Sequence, residues 1–260
     1  MKQIIKTLIS TFILIIMCFN TVFAFDYSYF TFNSKNGYYR SNDKYQTLEE
    51  AYIDMGNWLN NNYKYVSFYN TTCSYKSGGY SFIIFIDDIE RIENENEYMK
   101  YWLSVNMPNI VPAGTDGITA LRLINDWIYN NIDYEVNLPS SHFAITGLTT
   151  RKFSCLGFSN LFGMMAEYVP FNCDTGLADY SGNGNFWHFD SKIVIGNKHA
   201  WNAININGTW YYFDTTFNES SDSPDSYFMK TTDEFYDGRE HKTILGPWIR
   251  PYIDPALFIG

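Results

Sequence analysis

The sequence predicts an α+β fold, and two stretches in its second half carry that prediction. Residues 156–169 have the composition of a buried helix, and residues 199–217 have the pattern of two antiparallel strands around a tight turn. The chain has 260 residues, of which 46% are apolar and 19% aromatic, so a large core is available. This length allows one large domain, or one domain with an elaborated N-terminal part.

The first 24 residues have the pattern of an export signal. Lys2 and Lys6 give a positive start, residues 8–19 form an apolar run, and Val22 and Ala24 are small residues before a cleavage site. We therefore expect cleavage after Ala24 and a secreted or cell-envelope-associated protein, with no stable membrane insertion once the signal is removed. A retained anchor is the alternative, but the apolar run is short for a membrane span.

The mature chain predicted in this way is strongly acidic. The formal net charge is −10, and removal of the two leader lysines makes it −12. An acidic surface argues against binding to nucleic acid and against adhesion to anionic lipid. No basic patch in the sequence compensates for it. The expected partner is a protein or peptide substrate, or a polymer of the cell envelope.

Three cysteines follow the leader, namely Cys73, Cys155 and Cys173. An odd number in an exported protein indicates one free, reactive thiol. A disulfide between Cys73 and Cys173 would leave Cys155 free; alternatively, all three thiols are free and two are merely buried. Most of the chain is too large and apolar to need a disulfide, which favours the second alternative.

Residues 25–114 are predicted to form an α+β region whose role the sequence does not define. Thr47 and Glu50 have the spacing of a capping box, and the apolar spacing after them predicts a helix to about residue 61. Residues 64–69 and 80–86 are strand-like, with a turn at residues 77–79, which predicts a hairpin. The acidic residues between positions 87 and 97 are expected on a solvated helix face, because they lack the spacing of a calcium loop.

The segment from Pro108 to Gly117 contains two prolines and two glycines, and we expect a loop there. This loop would separate the N-terminal region from a second domain over residues 115–260. A helix is predicted directly after it, because Ile118, Leu121 and Ile128 recur at helical spacing. The helix should end near residue 131, and Tyr134 should begin an extended segment.

Cys155 is placed at the start of the predicted buried helix. Ser154 is a good N-cap, residues 156–169 are apolar nearly all round, and Pro170 ends the helix. The dipole and the free N–H groups of a helix N-terminus favour a thiolate, and the same groups can stabilise an oxyanion. A lone cysteine is more often a small buried apolar residue, but this position favours a nucleophile.

The turn at Asn207-Gly208 fixes the register of the two strands around it. Asn-Gly between strand-like runs is typical of a two-residue type I′ turn, and such a turn pairs Ile206 with Thr209. A slip of one residue would send every side chain of one strand to the opposite face.

This register brings His199 and Asp214 together. Asp214 falls opposite Trp201, so His199 and Asp214 become diagonal neighbours on one face, within hydrogen-bonding reach. A base and an orienting carboxylate in this relation are what a nucleophilic Cys155 requires. The same three residues could in principle hold zinc, but the local pattern offers no further ligand, so we expect neither a metal nor another cofactor.

Around these residues the chain resembles the bacterial transglutaminase-like superfamily, which has a papain-like core. The resemblance covers about residues 115–217 and rests on three motifs: Cys-Leu-Gly-Phe-Ser-Asn-Leu-Phe from Cys155, His-Ala-Trp-Asn from His199, and Gly-Thr-Trp-Tyr-Tyr-Phe-Asp-Thr-Thr from Gly208. It implies that residues 115–260 are a catalytic domain, in which a buried helix with the cysteine packs on an antiparallel sheet with the histidine and aspartate.

The resemblance also implies roles. Cys155 would be the nucleophile, His199 the general base and then acid, and Asp214 the residue that orients it. The protein would then act on peptide or glutamine carboxamide bonds through a thioester, as a protease or amidase or as a transglutaminase. A catalytically silent module that binds a cell-wall or surface polymer is the alternative.

Three further residues are candidates for the site, and one departs from the family pattern. Tyr134 is a candidate oxyanion donor, or else a tyrosine that packs under the loop, and Trp201 and Gly157 are candidates for a substrate groove. Members of the family usually have glycine two residues before the cysteine, whereas this chain has Phe153.

Overall fold

The computed structural model describes residues 27–48, 71–75, 78–137, 143–196, 199–235, 241 and 243–249, and also residues 50, 51, 54, 55, 58, 62 and 65. The predicted leader and most of the helix predicted up to residue 61 lie outside this set. Within it, none of the helices is both long enough and apolar enough to cross a membrane.

The N-terminal part forms a four-stranded antiparallel sheet with the order β1-β2-β4-β3. Its strands are β1 (Phe30–Asn33), β2 (Tyr38–Ser41), β3 (Thr71–Tyr75) and β4 (Tyr80–Phe85), after a 3-10 turn at Tyr27–Tyr29. A hairpin is present, and the strand before its turn lies at 71–75; all of the strand predicted at 64–69 except residue 65 lies outside the described residues. The β-branched and aromatic side chains of residues 71–75 favour a strand.

The predicted capping box is confirmed. The Thr47 backbone N–H donates to Glu50 Oε2 at 3.1 Å, and the Glu50 N–H donates to Thr47 Oγ1 at 3.2 Å. Two amide groups that a helix start leaves without partners are satisfied in this way.

A long helix, α1 (Ile86–Ile110), follows the sheet and contains Pro108. The loop predicted from Pro108 to Gly117 is therefore shorter than expected, because its first three residues are helical. Pro108 lies in the last turn, and Leu103, Met107 and Val111 around it are all fully buried. Their burial on one face holds the helix past the proline, which removes only one backbone hydrogen bond.

The acidic stretch of α1 is not entirely solvated, contrary to the prediction. Glu95 is 1% exposed, accepts a hydrogen bond from the Ala144 N–H at 2.8 Å and pairs with Arg91 at 3.3 Å. It therefore satisfies the first amide of the helix that begins at Ala144.

After α1 the chain continues through short elements to a buried helix. These are α2 (Gly117–Asn131), β5 (Asp133–Tyr134), α3 (Ala144–Thr150), β6 (Lys152–Phe153) and α4 (Cys155–Tyr168). Every residue of α4 from Cys155 to Glu167 is buried, as its nearly uniform apolar composition predicts. The two predicted helices in this segment are confirmed to within one residue at each end.

A second antiparallel sheet packs on α4. Its order is β11-β10-β9-β12, with β9 (Ser191–Gly196), β10 (His199–Ile206), β11 (Thr209–Phe213) and β12 (Thr243–Ile249). One face of β10 meets α4, where Asn202 Nδ2 donates to the carbonyl oxygen of Ser159 at 3.0 Å. The other face carries Trp201 into a separate apolar cluster with Phe235. The predicted α+β architecture is confirmed.

The predicted register is confirmed as well. Ile206 pairs with Thr209, and both turn residues have positive φ, 52° at Asn207 and 86° at Gly208, as a type I′ turn requires. The second strand ends at Phe213 and not at residue 217. The chain turns there into the short helix α5 (Thr215–Glu219), and α6 (Thr232–Phe235) follows.

The sequence also predicts strands at residues 171–180 and 188–195, and the observed strands there are shorter. The strands β7 (Phe171–Asn172) and β8 (Phe186–Trp187) pair in this region, and isolated bridges join Phe171 to Ala178 and Asp116 to Leu177, before β9 begins at Ser191. Asn172 explains the early end of β7, because its carbonyl oxygen accepts from the Gly176 N–H at 2.8 Å and closes a turn.

One hydrophobic cluster links the two halves of the chain. It contains residues of the N-terminal sheet together with Cys155, Leu156, Ile193 and Ala200; the N-terminal members include Phe30, Phe82, Ile84, Ile89 and Ile92. The start of α4 is therefore packed by both halves.

Candidate active site

Cys155 is the first residue of α4, and its thiol is free and 7% exposed. Ser154 has the extended backbone of an N-cap, but its side chain makes no capping hydrogen bond, contrary to the prediction. The hydroxyl of Ser154 therefore does not take up the first-turn N–H groups of α4. A negatively charged oxygen that develops beside Cys155 could accept from them.

His199 and Asp214 are joined by a short hydrogen bond. His199 begins β10 and Asp214 directly follows β11, and the distance from His199 Nε2 to Asp214 Oδ2 is 2.6 Å. Asp214 has no exposed surface and His199 is 5% exposed. The ring of Phe217 stacks on the imidazole with centroids 4.4 Å apart, which fixes the plane of the base.

The other oxygen of Asp214 is held by the backbone. Asp214 is the N-cap of α5, and its Oδ1 accepts from the Phe217 N–H at 2.9 Å. Because the helix start orients the carboxylate, Oδ2 is left to face His199. Sequence reasoning placed Asp214 on a strand; the structure places it one residue beyond, where it can cap a helix as well.

Cys155 completes the series. Its thiol lies near enough to His199 to be among the groups that raise the pKa of the imidazole. Because Nε2 of His199 contacts Asp214 Oδ2, Nδ1 is the ring nitrogen left for the thiol. The structure thus brings the three predicted residues together, with the imidazole between thiol and carboxylate.

The environment of His199 favours its charged form. Burial by itself would lower the pKa of His199, but the negative charge of Asp214 and the hydrogen bonds to Asp214 and Cys155 outweigh burial and raise the pKa to about 10. Burial also opposes the charge of Asp214, but the positive charge of His199 and the hydrogen bonds lower its pKa. An imidazolium beside the thiol stabilises a thiolate.

A fourth residue, His241, joins the site, and sequence reasoning missed it. Its Nε2 lies 2.9 Å from the same Asp214 Oδ2 that His199 contacts, and the residue is 3% exposed. It is 27 positions beyond Asp214, with no motif around it. Its place beside Asp214 depends on long-range folding, so no local signal could have identified it.

His199, Asp214 and His241 also form a group of side chains that could reach a metal ion, and their ligand atoms lie within 4.8 Å of one another. His241 is the further ligand that the local pattern lacked. Ligands of a tetrahedral zinc ion would stand about 3.3 Å apart. The Nε2–Oδ2 distances of 2.6 and 2.9 Å are shorter, so protons rather than an ion join these groups here.

The predicted groove residues are both inside the protein. Trp201 has no exposed surface and its ring packs 5.6 Å from that of Phe235, and Gly157 is buried within α4. Neither lines a groove, and that assignment is corrected. Trp201 lies on the sheet face that residues near α6 cover, a layer that the strand pattern alone did not reveal.

The remaining predicted residues lie outside the hydrogen-bonded series. Tyr134 is 43% exposed on β5, which pairs Tyr134 with Phe153, and its ring lies 6.5 Å from that of Phe158. Its role as an oxyanion donor stays a prediction. Cys173 is exposed and free, so the alternative with a Cys73–Cys173 disulfide is wrong.

The part of the chain that contains Cys155, His199 and Asp214 is similar to known proteins. Residues 108–215 match the family model described as the transglutaminase-like superfamily. Over 145 residues the chain is 28% identical to the kyphoscoliosis peptidase of Mus musculus, a match that covers 53% of this chain and 22% of that protein. The corresponding human protein is 30% identical over 131 residues, covering 48% and 19%.

The chain therefore spans only about a fifth of the length of these curated relatives. A solved structure described as the crystal structure of a TGase is 10% identical, with a TM-score of 0.34, and the match covers 69% of this chain and 50% of that one.

Proposed function

Because residues 108–215 form a core of the transglutaminase-like superfamily, we propose that the protein is a cysteine-dependent acyl-transfer enzyme. The observation that carries this proposal is the buried hydrogen bond from His199 to Asp214 beside the free thiol of Cys155, which raises the pKa of His199. A thiol, an imidazole and a carboxylate in this order are the parts of an activated nucleophile.

In the proposed reaction the Cys155 thiolate attacks the carbonyl carbon of a peptide bond or a glutamine carboxamide. The N-terminal amides of α4 stabilise the oxyanion that forms. His199 then gives a proton to the departing nitrogen, the C–N bond breaks, and a thioester to Cys155 remains. Water or a second amine attacks the thioester while His199 takes up its proton, and the free enzyme returns. Asp214 keeps the imidazole in the required tautomer throughout.

We propose hydrolysis as the main outcome. The mouse and human relatives are named peptidases, and this supports water over an amine as the second reactant. The support is confined to the shared core, because most of each relative lies outside the match.

The test compares wild type with Cys155→Ala on a library of glutamine-containing peptides. We expect peptide cleavage or ammonia release by wild type and none by Cys155→Ala. Cys173→Ala is the matched control, because Cys173 is a free but exposed thiol outside the site. It should retain full activity.

A second measurement separates the reaction types. Release of ammonia from a glutamine peptide in proportion to added primary amine would identify a crosslinking enzyme, whereas cleavage that amine does not affect identifies a hydrolase. Activity that survives in Cys155→Ala would refute the nucleophile. A Cys155 that iodoacetamide alkylates no faster than Cys173 at mildly acidic pH would point instead to a silent binding module.

We also propose that the protein is exported and acts outside the cytoplasm or in the cell envelope, on a protein or peptide substrate. The support is the charge and apolar pattern of the first 24 residues. N-terminal sequencing of the protein recovered from the culture medium should begin at Phe25. Recovery of the full-length chain from membranes would contradict cleavage.

A further inference from the structure

The carboxylate of Asp214 accepts hydrogen bonds from two imidazole groups, although the proposed reaction uses only one of them. Oδ2 accepts from His199 Nε2 at 2.6 Å and from His241 Nε2 at 2.9 Å. An ionised carboxylate has no proton to give, so both Nε2 atoms must carry one. With the Phe217 N–H on Oδ1, the buried carboxylate has three donors.

Aromatic rings hold His241 in place. Its ring centroid lies 3.8 Å from that of Phe235, 5.1 Å from Phe217 and 5.2 Å from Trp201. Its Nδ1 is buried and has no hydrogen-bond partner among the described residues, so Nε2 makes the polar contact found for this side chain. An imidazole fixed in this way presents a donor to Oδ2 at a constant position.

The Nε2–H of His241 can influence His199 because both imidazoles contact the same oxygen, Asp214 Oδ2. The Phe217 N–H fixes Oδ1 but leaves the carboxylate free to rotate about the axis to that atom, and such a rotation would move Oδ2 away from the imidazole. A second donor on Oδ2 opposes the rotation. It also stabilises a charge that has no contact with water, which a single donor would do less well.

We infer that His241 is a positioning residue of this site, which fixes Asp214 Oδ2 against His199 and so extends the series to Cys155–His199–Asp214–His241. That His241 affects catalysis rests on the proposed function. That the hydrogen bond from His199 to Asp214 depends on the Nε2 donor of His241 does not, because this is a claim about structure alone.

The test uses two amide substitutions that differ in reach. In His241→Gln the side-chain nitrogen can occupy the place of Nε2, whereas in His241→Asn it is one methylene too short. Thermal melting identifies the folded variants, and His241→Phe, which fills the ring volume without a donor, replaces His241→Asn if that variant does not fold.

The first readout is the proton spectrum of the protein with ¹⁵N-labelled histidine. Wild type should show two slowly exchanging downfield Nε2–H resonances, from His199 and His241. His241→Gln should lose the His241 resonance and keep that of His199 unchanged, whereas the variants without a donor should shift or broaden the His199 resonance. An unchanged His199 resonance in a folded donor-free variant would overturn the inference, as would equal shifts in His241→Gln and His241→Asn.

The second readout is the rate at which iodoacetamide alkylates Cys155 at mildly acidic pH, followed by peptide mass spectrometry. Alkylation of exposed Cys173 in the same sample corrects for reagent and pH. Without the donor we expect Cys155 to react roughly 10- to 100-fold more slowly, because a displaced base costs about this much, and His241→Gln should restore the rate. If wild-type Cys155 proves no faster than Cys173, the proposed function fails, and the histidine spectrum still decides the role of His241.

Discussion

Substitution of Gly147 by alanine tests the packing that supports the nucleophile. A Cβ at Gly147 would overlap three ring atoms of Phe153, namely Cε1, Cζ and Cδ1. Phe153 is fully buried on β6, two residues before Cys155, so its ring has no free space into which to move. This contact also explains the departure from the family pattern, because Gly147 leaves the room that the ring of Phe153 fills.

The expected loss of stability follows from two opposing effects. Overpacking a rigid core costs about 1–3 kcal/mol, and a clash between α3 and a fully buried ring belongs to the upper part of that range, about 2–3 kcal/mol. Alanine is better than glycine inside a helix by roughly 0.5–1 kcal/mol, which offsets part of it. We therefore expect Gly147→Ala to lower the free energy of unfolding by about 1–2.5 kcal/mol, or the melting temperature by about 2–10 °C.

A double-mutant cycle with Phe153→Val identifies the cause. Valine is β-branched and therefore suits a strand such as β6, but it has none of the three overlapping atoms. In that background Gly147→Ala should become neutral or stabilising by up to about 1 kcal/mol, because only the helix preference remains. Urea denaturation of the four proteins measures the coupling. The reasoning is refuted if Gly147→Ala destabilises both backgrounds equally, or neither.

Three further predictions concern the site and its turn. Asp214→Asn should lower kcat by roughly 10³- to 10⁴-fold with little change in melting temperature. The reason is that the amide N–H of asparagine would face Nε2 of His199, so the proton of the imidazole would move to Nδ1, on the side of the thiol. A loss below tenfold contradicts this. Because the pKa of His199 is raised, its protonation should stabilise the fold fully below about pH 6.5 and progressively less as the pH rises to about 10. The difference in melting temperature between wild type and His199→Gln should therefore shrink, and not grow, from about pH 6.5 to about pH 10. Gly208→Ala should cost roughly 1 kcal/mol in urea denaturation, because φ is 86° there, while Ala substitution at exposed Thr209 should cost less.

The His199–Asp214 pair could be predicted from sequence because a local rule decides it. A two-residue Asn-Gly turn allows one strand register. The strands are only a few residues long, so the same register holds as far as the positions of His199 and Asp214. The prediction survived even though β11 ends at Phe213. The first residue after the last pair still continues the direction of the strand, so Asp214 remained beside the start of β10.

Long-range packing decides the features that the sequence did not reveal. Pro108 remains helical because residues on either side of it enter a core built by other helices. Trp201 is buried because a later segment covers its sheet face. Neither fact depends on the residues nearby in sequence, so periodicity and turn chemistry cannot supply it.

The site therefore cannot be reduced to the stretch that matches the family model. That match ends at residue 215, yet Asp214 Oδ2 accepts from His241, which lies beyond that limit. In the other direction, Cys155 shares a hydrophobic cluster with Phe30 and Phe82 of the N-terminal sheet. The stretch that matches the family model contains Cys155, His199 and Asp214, and residues outside it pack the helix that begins at Cys155 and donate a hydrogen bond to Asp214. Differences in these flanks can thus change reactivity while the three motif residues stay the same.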